Sequence, residues 1–128
     1  MKFPIENVRI STKGKDTLSK AKRKTSLTHW NELCRIAFCR SIANPNPVML
    51  NQDFGESGIE MDWKTFVRPH EDIYASLILL RAATEGIEVD NDGALVNFFR
   101  AHLERGITTL NKIEGLEEIL NSKPESAN

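Results

Sequence analysis

The sequence predicts a mainly α-helical protein of one small domain, in which an N-terminal strand and two helices precede two to three further helices. A length of 128 residues suits a single core rather than two. Apolar side chains recur at intervals of three and four over several long stretches, the helical period, whereas only two short stretches alternate with the period of two that marks a strand. Prolines and glycines cluster in one central stretch, so the chain divides into a basic strand-helix-helix unit over 5–42, a connecting loop and extended segment over 43–68, a helical acidic half over 69–121 and a flexible tail over 122–128.

The strand spans Glu6 to Ser11, with Glu6, Val8 and Ile10 on one face and Asn7, Arg9 and Ser11 on the other. Ser11 and Thr12 can both cap a first helix that runs to about Lys24 and turns Leu18 and Ala21 inward. Thr25, Ser26 and Thr28 break that pattern. Thr28 is the expected N-cap of a second helix whose buried stripe is Trp30, Leu33, Cys34, Ala37, Phe38 and Ile42. Within this unit the strand has no neighbour to satisfy its backbone, which favours pairing with a second copy. Strand, basic helix, Ser/Thr turn and apolar helix in this order resemble a ribbon-helix-helix unit, whose antiparallel ribbon from two chains enters the DNA major groove. Asn7, Arg9 and Ser11 would then face outward.

Asn44 to Gly58 holds two Asn-Pro pairs and two glycines, a surface loop expected to press Met49, Leu50 and Phe54 on the core. Ile59 to Val67 alternates as a short extended segment, with Trp63 and Phe66 as core anchors. Glu71 and Asp72 open a third helix with Ile73, Leu77 and Leu80 on its inner face and Gly86 as its stop. Asp90 or Asn91 caps a fourth, in which Leu95, Phe98, Phe99, His102, Leu103, Ile107 and Leu110 share a face and Gly106 marks close helix packing. A short fifth helix is expected from Leu116 to Leu120, ahead of the polar tail from Lys123.

Several function classes find no support in these residues. No apolar run approaches the ~18 residues of a membrane span, and no secretory signal is evident, which points to the cytoplasm. Cys34 and Cys39 are five apart and have no third cysteine, so they read as buried, reduced thiols rather than metal ligands. His29, His70 and His102 form no metal-binding spacing; His29 reads as a surface residue and His102 as a satisfied core group. No phosphate loop, nucleophile elbow or Cys-His pair occurs. The expectation is a non-enzyme without cofactor or metal.

The charge is informative. Residues 1–42 carry ten Lys and Arg against three Asp and Glu, a net +7, while residues 43–128 carry seven against fifteen, a net −8. Lys13, Lys15, Lys20, Lys22, Arg23 and Lys24 stand on one short helix with Asp16 as its sole acid, and Arg9 lies on the strand before it. Such a cluster in an otherwise acidic chain attracts phosphates and releases their counterions, so these seven residues are the expected DNA contacts.

The segments VRISTKGKDTLSKAKRKTSLTHWNELCRIAFCRSI, MDWKTFVRPHEDIYASLILLR and FFRAHLERGITTL, in this order, resemble the DNA sulfur modification protein DndE family. The most informative pieces are NELCRIAFCRS, the DWKTF aromatics and AHLERG. One departure is local, where Val67, Arg68 and Pro69 lead into His70 and Glu71 in place of a Gly-Glu pair. The resemblance implies a non-catalytic subunit of the bacterial system that replaces a non-bridging oxygen of the DNA backbone with sulfur. It implies a homotetramer that contacts duplex and nicked DNA and works with a sulfotransfer enzyme and an ATPase, which the acidic half would dock. The alternative is a ribbon-helix-helix transcriptional regulator binding operator DNA, although such a regulator needs little beyond the first 42 residues.

Overall fold

In the computed structural model, which describes residues 3–115, 117 and 118, strand β1 (Asn7–Ser11) runs straight into helix α1 (Thr12–Thr25). The strand finds its neighbour within the chain rather than in a second copy. It pairs antiparallel with β2 (Ser57–Asp62), in the register Val8 to Met61 and Ile10 to Ile59. Ile59 and Met61 turn to the same side as Val8 and Ile10, so the pairing that satisfies the backbone also closes one apolar face. The register slips at Gly58, where a Cβ would lie 2.9 Å from Thr12 Cα, so only glycine lets the sheet pass the start of α1. The extended segment expected over Ile59–Val67 ends at Asp62. Helix α3 (Trp63–Val67) follows, and it brings Trp63 and Phe66 into the core as expected.

Helix α2 (Trp30–Ala43) starts at an N-cap of His29 that makes no side-chain bond, not at Thr28, because the backbone is still extended at His29. It lies against α5 (Asp92–Thr109), which is capped by Asn91 Oδ1 accepting from the Ala94 N–H at 3.0 Å. Gly106 sets how closely the two helices approach, since a Cβ there would fall 1.7 Å from the Ala37 carbonyl oxygen. The close approach gathers Phe38, Phe66, Phe99 and Trp63 into one cluster, with Phe38 and Phe66 each 5.4 Å from Phe99 by ring centroid. A 3₁₀ turn over Leu110–Lys112 continues α5 and buries Leu110.

Helix α4 (Glu71–Thr84) reverses the expected orientation. Its buried residues are Ile78 and Ala82, while Ile73 is 56% and Leu80 69% exposed; of the three residues expected inside, Leu77 alone packs against the core, half-buried. The helix is apolar on both sides, so periodicity alone does not choose a face. Arg81 and Glu85 decide it, because both are drawn inward by polar partners. Gly86, at φ +79°, ends the helix as expected. Of the loop residues, Leu50 and Phe54 are half-buried, but Met49 stands 74% exposed. The helix expected over Leu116–Leu120 falls mostly outside the described residues, and the tail lies wholly outside them.

The partners of Arg81 and Glu85 form one buried network. His102, with no exposed surface, meets Ser41 Oγ through Nδ1 at 2.8 Å and Glu85 Oε2 through Nε2 at 2.9 Å. Arg105 Nε donates to Ser41 Oγ at 2.8 Å, which leaves the hydroxyl proton for Nδ1 and assigns the ring proton to Nε2, donated to Glu85. Arg81 donates to Glu85 and to the carbonyls of Ile42, Asn44 and Asn46, and Arg105 to those of Ser41, Asn46 and Pro47. These two guanidiniums supply donors to the carbonyls where α2 ends in Asn-Pro sequences and no helical partner remains. Val48 N–H donates to Glu85 Oε1 at 2.9 Å and closes the ring.

Burial pushes the His102 imidazole down to about 4, against the pull of Glu85 and with the help of Arg105 and Arg81. Burial alone would raise Glu85, but bonds from His102 and the Val48 N–H, together with the charges beside it, hold its carboxyl below the usual range.

Two predictions follow from this packing. Gly106→Ala should cost about 3 kcal/mol or more in a denaturant titration, because the added methyl meets backbone rather than a movable side chain. The second concerns acid. Between the ordinary histidine pKa of about 6.5 and the folded value of about 4, the unfolded chain takes up a proton that His102 refuses. Stability should therefore be level above pH ~6.5, fall towards pH ~4, and fall further as Glu85 protonates. His102→Gln should be less stable at neutral pH yet lose less between those limits. Parallel pH profiles of the denaturation midpoint for the two proteins would sink this assignment.

Candidate nucleic-acid interface

The start of α1 is held in place by a residue far away in sequence. Ser11 caps the helix, its Oγ accepting from Gly14 N–H at 2.9 Å, while its own N–H and Oγ–H both donate to the Glu104 carboxylate of α5 at 2.8 Å. Ser11 is thus buried, and the outward position expected for it is overturned. A cap needs the hydroxyl turned into the first turn, and the strand bends there to provide it. Sequence reasoning missed Glu104, a lone acid between basic and apolar residues in FFRAHLERG, which shows its role only through contact.

Successive residues of a helix turn by about 100°, and with Leu18 and Ala21 buried this distributes the cations of α1 over its remaining surface. Lys13, Lys20 and Lys24 follow one another along one flank, and all three are exposed. Lys15 and Lys22 occupy the opposite flank, with Arg23 and Asp16 on the outermost face. Lys22 is half-buried, its Nζ 4.0 Å from the Trp30 ring centroid, and Lys24 Nζ donates to the Ile113 carbonyl at 3.0 Å. Lys22, Arg23 and Lys24 also fall in the last turn, where cations complement the helix dipole.

Arg9 stands apart from this group. It is exposed on the outer face of the sheet and its Nε meets Glu60 Oε1 at 3.1 Å, with Asn7 opposite Asp62 beside it. The linear split of charge therefore does not become two opposed surfaces. Acidic residues of β2 lie across from β1, and the Lys24 bond to Ile113 brings the stretch containing Glu114 up to the basic end of α1.

Beside the Lys13 flank, a cleft of about 650 Å³ opens between α1, the loop through Pro47–Phe54 and the end of α5. Lys13 and Thr17 line one side, Asn111 and Lys112 another, and Thr17 Oγ donates to Asn111 Oδ1 at 3.0 Å. Lys112 and Arg105 were not among the expected contacts, since isolated cations on separate elements carry no pattern.

Cys34 and Ser41 are closed off from substrate. Burial pushes the Cys34 thiol up to about 12. Cys39, expected to be buried, is exposed on α2; partial desolvation raises its thiol, against the pull of a Tyr74 hydrogen bond and the Arg35 charge. Ser41, His102 and Glu85 are bonded in the manner of a catalytic triad, but Ser41 is 1% exposed and its oxygen already accepts from Arg105, which leaves no approach for a substrate. Among the described residues, no group of three or more His, Cys, Asp or Glu is placed to hold a metal ion. Nor, among them, is any helix long and apolar enough to cross a membrane.

Known proteins recognise this arrangement. A family model described as "DNA sulphur modification protein DndE" matches residues 7–117. A solved structure described as "Crystal structure of DndE G21/24K mutant involved in DNA phosphorothioation" shares the fold, with a TM-score of 0.61 and 21% identity over 84% of this chain and 98% of that one. No curated protein matches the chain. The family match runs from β1 to beyond the end of α5 and takes in every element described above, so the chain belongs to the DndE family of DNA sulfur modification proteins.

Proposed function

We propose that this chain is a non-catalytic, DNA-binding subunit of a bacterial DNA phosphorothioation system. It holds duplex DNA, nicked duplex included, while a sulfotransfer enzyme and an ATPase partner carry out the chemistry. The observation that carries this reading is α1, six of whose side chains are cationic against the single acid Asp16. A duplex laid along the helix meets Lys13, Lys20, Lys24 and Arg23, with Lys15 and Lys22 on the far flank and Arg9 joining as Glu60 yields its ion pair. The buried Cys34 thiol and the sealed Ser41 support a binding role rather than catalysis. An operator-binding ribbon fits less well, because β1 takes its antiparallel partner, β2, from the same chain.

The subunit acts as a homo-oligomer, a tetramer in our reading. Support comes from α4, whose outer surface presents Ile73, Leu79 and Leu80 to solvent, a surface that an isolated small protein does not keep. Partner subunits dock on acidic residues of the second half, such as Glu71 and Asp72 in the first turn of α4.

Replacing Lys20, Lys22, Arg23 and Lys24 together with alanine should weaken binding to every duplex sequence and reduce the slope of log affinity against log salt by about three. Fluorescence anisotropy on intact and nicked duplex at several salt concentrations measures both, and an unchanged slope places the DNA elsewhere. Leu80→Glu should shift the mass seen by light scattering at micromolar concentration down to that of a smaller species, with helicity retained by circular dichroism. A wild-type monomer would refute the oligomer.

A further inference from the structure

The cleft beside Lys13 has a composition that attraction to a phosphate backbone does not require. Val48, Met49, Phe54 and Ile107 give its walls an apolar part, beside polar groups that include Lys13, Arg105 and Lys112. The two acids that line it are already engaged. Glu104 accepts twice from Ser11, and Asp53 Oδ1 accepts from Gly55 N–H at 2.8 Å. Lys13 and Lys112 are exposed at the rim, and Asn111, Gln52 and Thr108 add amide and hydroxyl groups.

The loop that forms one wall is braced at both ends. Asn46 and Pro47 give their carbonyls to Arg105, Val48 N–H is bonded to Glu85, and Phe54 lies over Arg100, whose Cζ is 5.1 Å from the ring centroid. Between these anchors Met49 is 74% exposed. A soft, polarisable side chain held out over a space with partly apolar walls suits a flat ligand better than it suits water. About 650 Å³ falls in the range of small-ligand sites.

We propose that this cleft receives a single unstacked nucleotide, its phosphate between Lys13 and Lys112 and its base against Met49 and Phe54. The same chemistry is offered by an unpaired nucleotide within a bound DNA strand and by a free mononucleotide. The first source rests on the DNA-binding reading above, because the Lys13 flank of α1 would carry the strand to the cleft; the second does not.

The experiment uses the full chain with ¹³C-labelled methionine methyl groups. Three methionines are present, and the spectrum of Met49→Leu identifies the Met49 signal. The ligands are a duplex with one bulged adenosine, the same duplex fully paired, and deoxyadenosine monophosphate. The expected result is a saturable shift of the Met49 methyl with the bulged duplex or the mononucleotide and none with the paired duplex. A response to the bulge alone assigns the site to a nucleotide within a strand, and a response to the mononucleotide alone assigns it to a free nucleotide. Thr108→Trp, which places a bulky ring in the cleft from an exposed position, should abolish the shift. For a nucleotide within a strand, it should also lower affinity for the bulged duplex about tenfold, to that of the paired duplex. No Met49 shift with any ligand, or a shift that survives Thr108→Trp, overturns the proposal. If the paired duplex still binds in that case, the DNA-binding reading stands without the cleft; if no duplex binds, that reading falls as well.

Discussion

Everything in this structure depends on the contact between Gly106 and the backbone of Ala37, where α5 lies on α2 with no side chain between them. At that separation His102, one turn earlier on α5, reaches Ser41 of α2, and Arg105 reaches the carbonyls at the end of the same helix. Glu104 is directed to the other side, where it takes both donors of Ser11 and fixes the start of α1. One close approach thus couples the aromatic core, the buried polar network and the position of the basic helix. A methyl group at Gly106 would push these apart together, because close-packed interiors pass on a displacement rather than absorb it.

The polar network accounts for the orientation of α4. Arg81 on that helix and Glu85 at its C-cap have partners waiting inside, and satisfying them turns Ile73 and Leu80 outward. An unpaired guanidinium or carboxylate in the interior costs more than the exposure of two aliphatic side chains, so the polar groups prevail. The result is an apolar outer face whose cause lies in the core. In the same way, the cations of α1 face water because Leu18 and Ala21 are held against the core, and their neighbours on the helix have nowhere else to point.

Pairing β1 with β2 has an electrostatic consequence. Glu60 and Asp62 come to lie opposite Arg9 and Asn7, so the outer face of the sheet is of mixed sign, and the concentrated positive charge is confined to the helix that follows. The concentrated positive charge is therefore carried by a helical ridge rather than by a two-stranded ribbon. The structure shares its fold with the solved DndE at 21% identity, a level at which the arrangement of elements persists while most surface residues differ.

The sequence by itself determined most of the elements, though not the short helix α3, and most of the core. Apolar residues at helical spacing marked Leu33, Phe38, Phe98, Phe99 and Leu103, and all are buried; Asn91, Gly86 and Gly106 announced a cap, a stop and a close crossing from the limits of their own geometry. The concentration of lysine on one helix was equally legible, because charge density is a property of neighbours in the chain. What only the tertiary structure decided was every matter of distant partners. Which strand pairs with β1, which side of α4 faces inward, and why Glu104 is buried all depend on groups more than ten residues away. A period of 3.6 residues is silent when both faces of a helix are apolar, and a lone acid or cation in a sequence does not name the donor or acceptor it will meet. Folding chose among these by satisfying buried polar groups, a condition that exists only once the chain is packed.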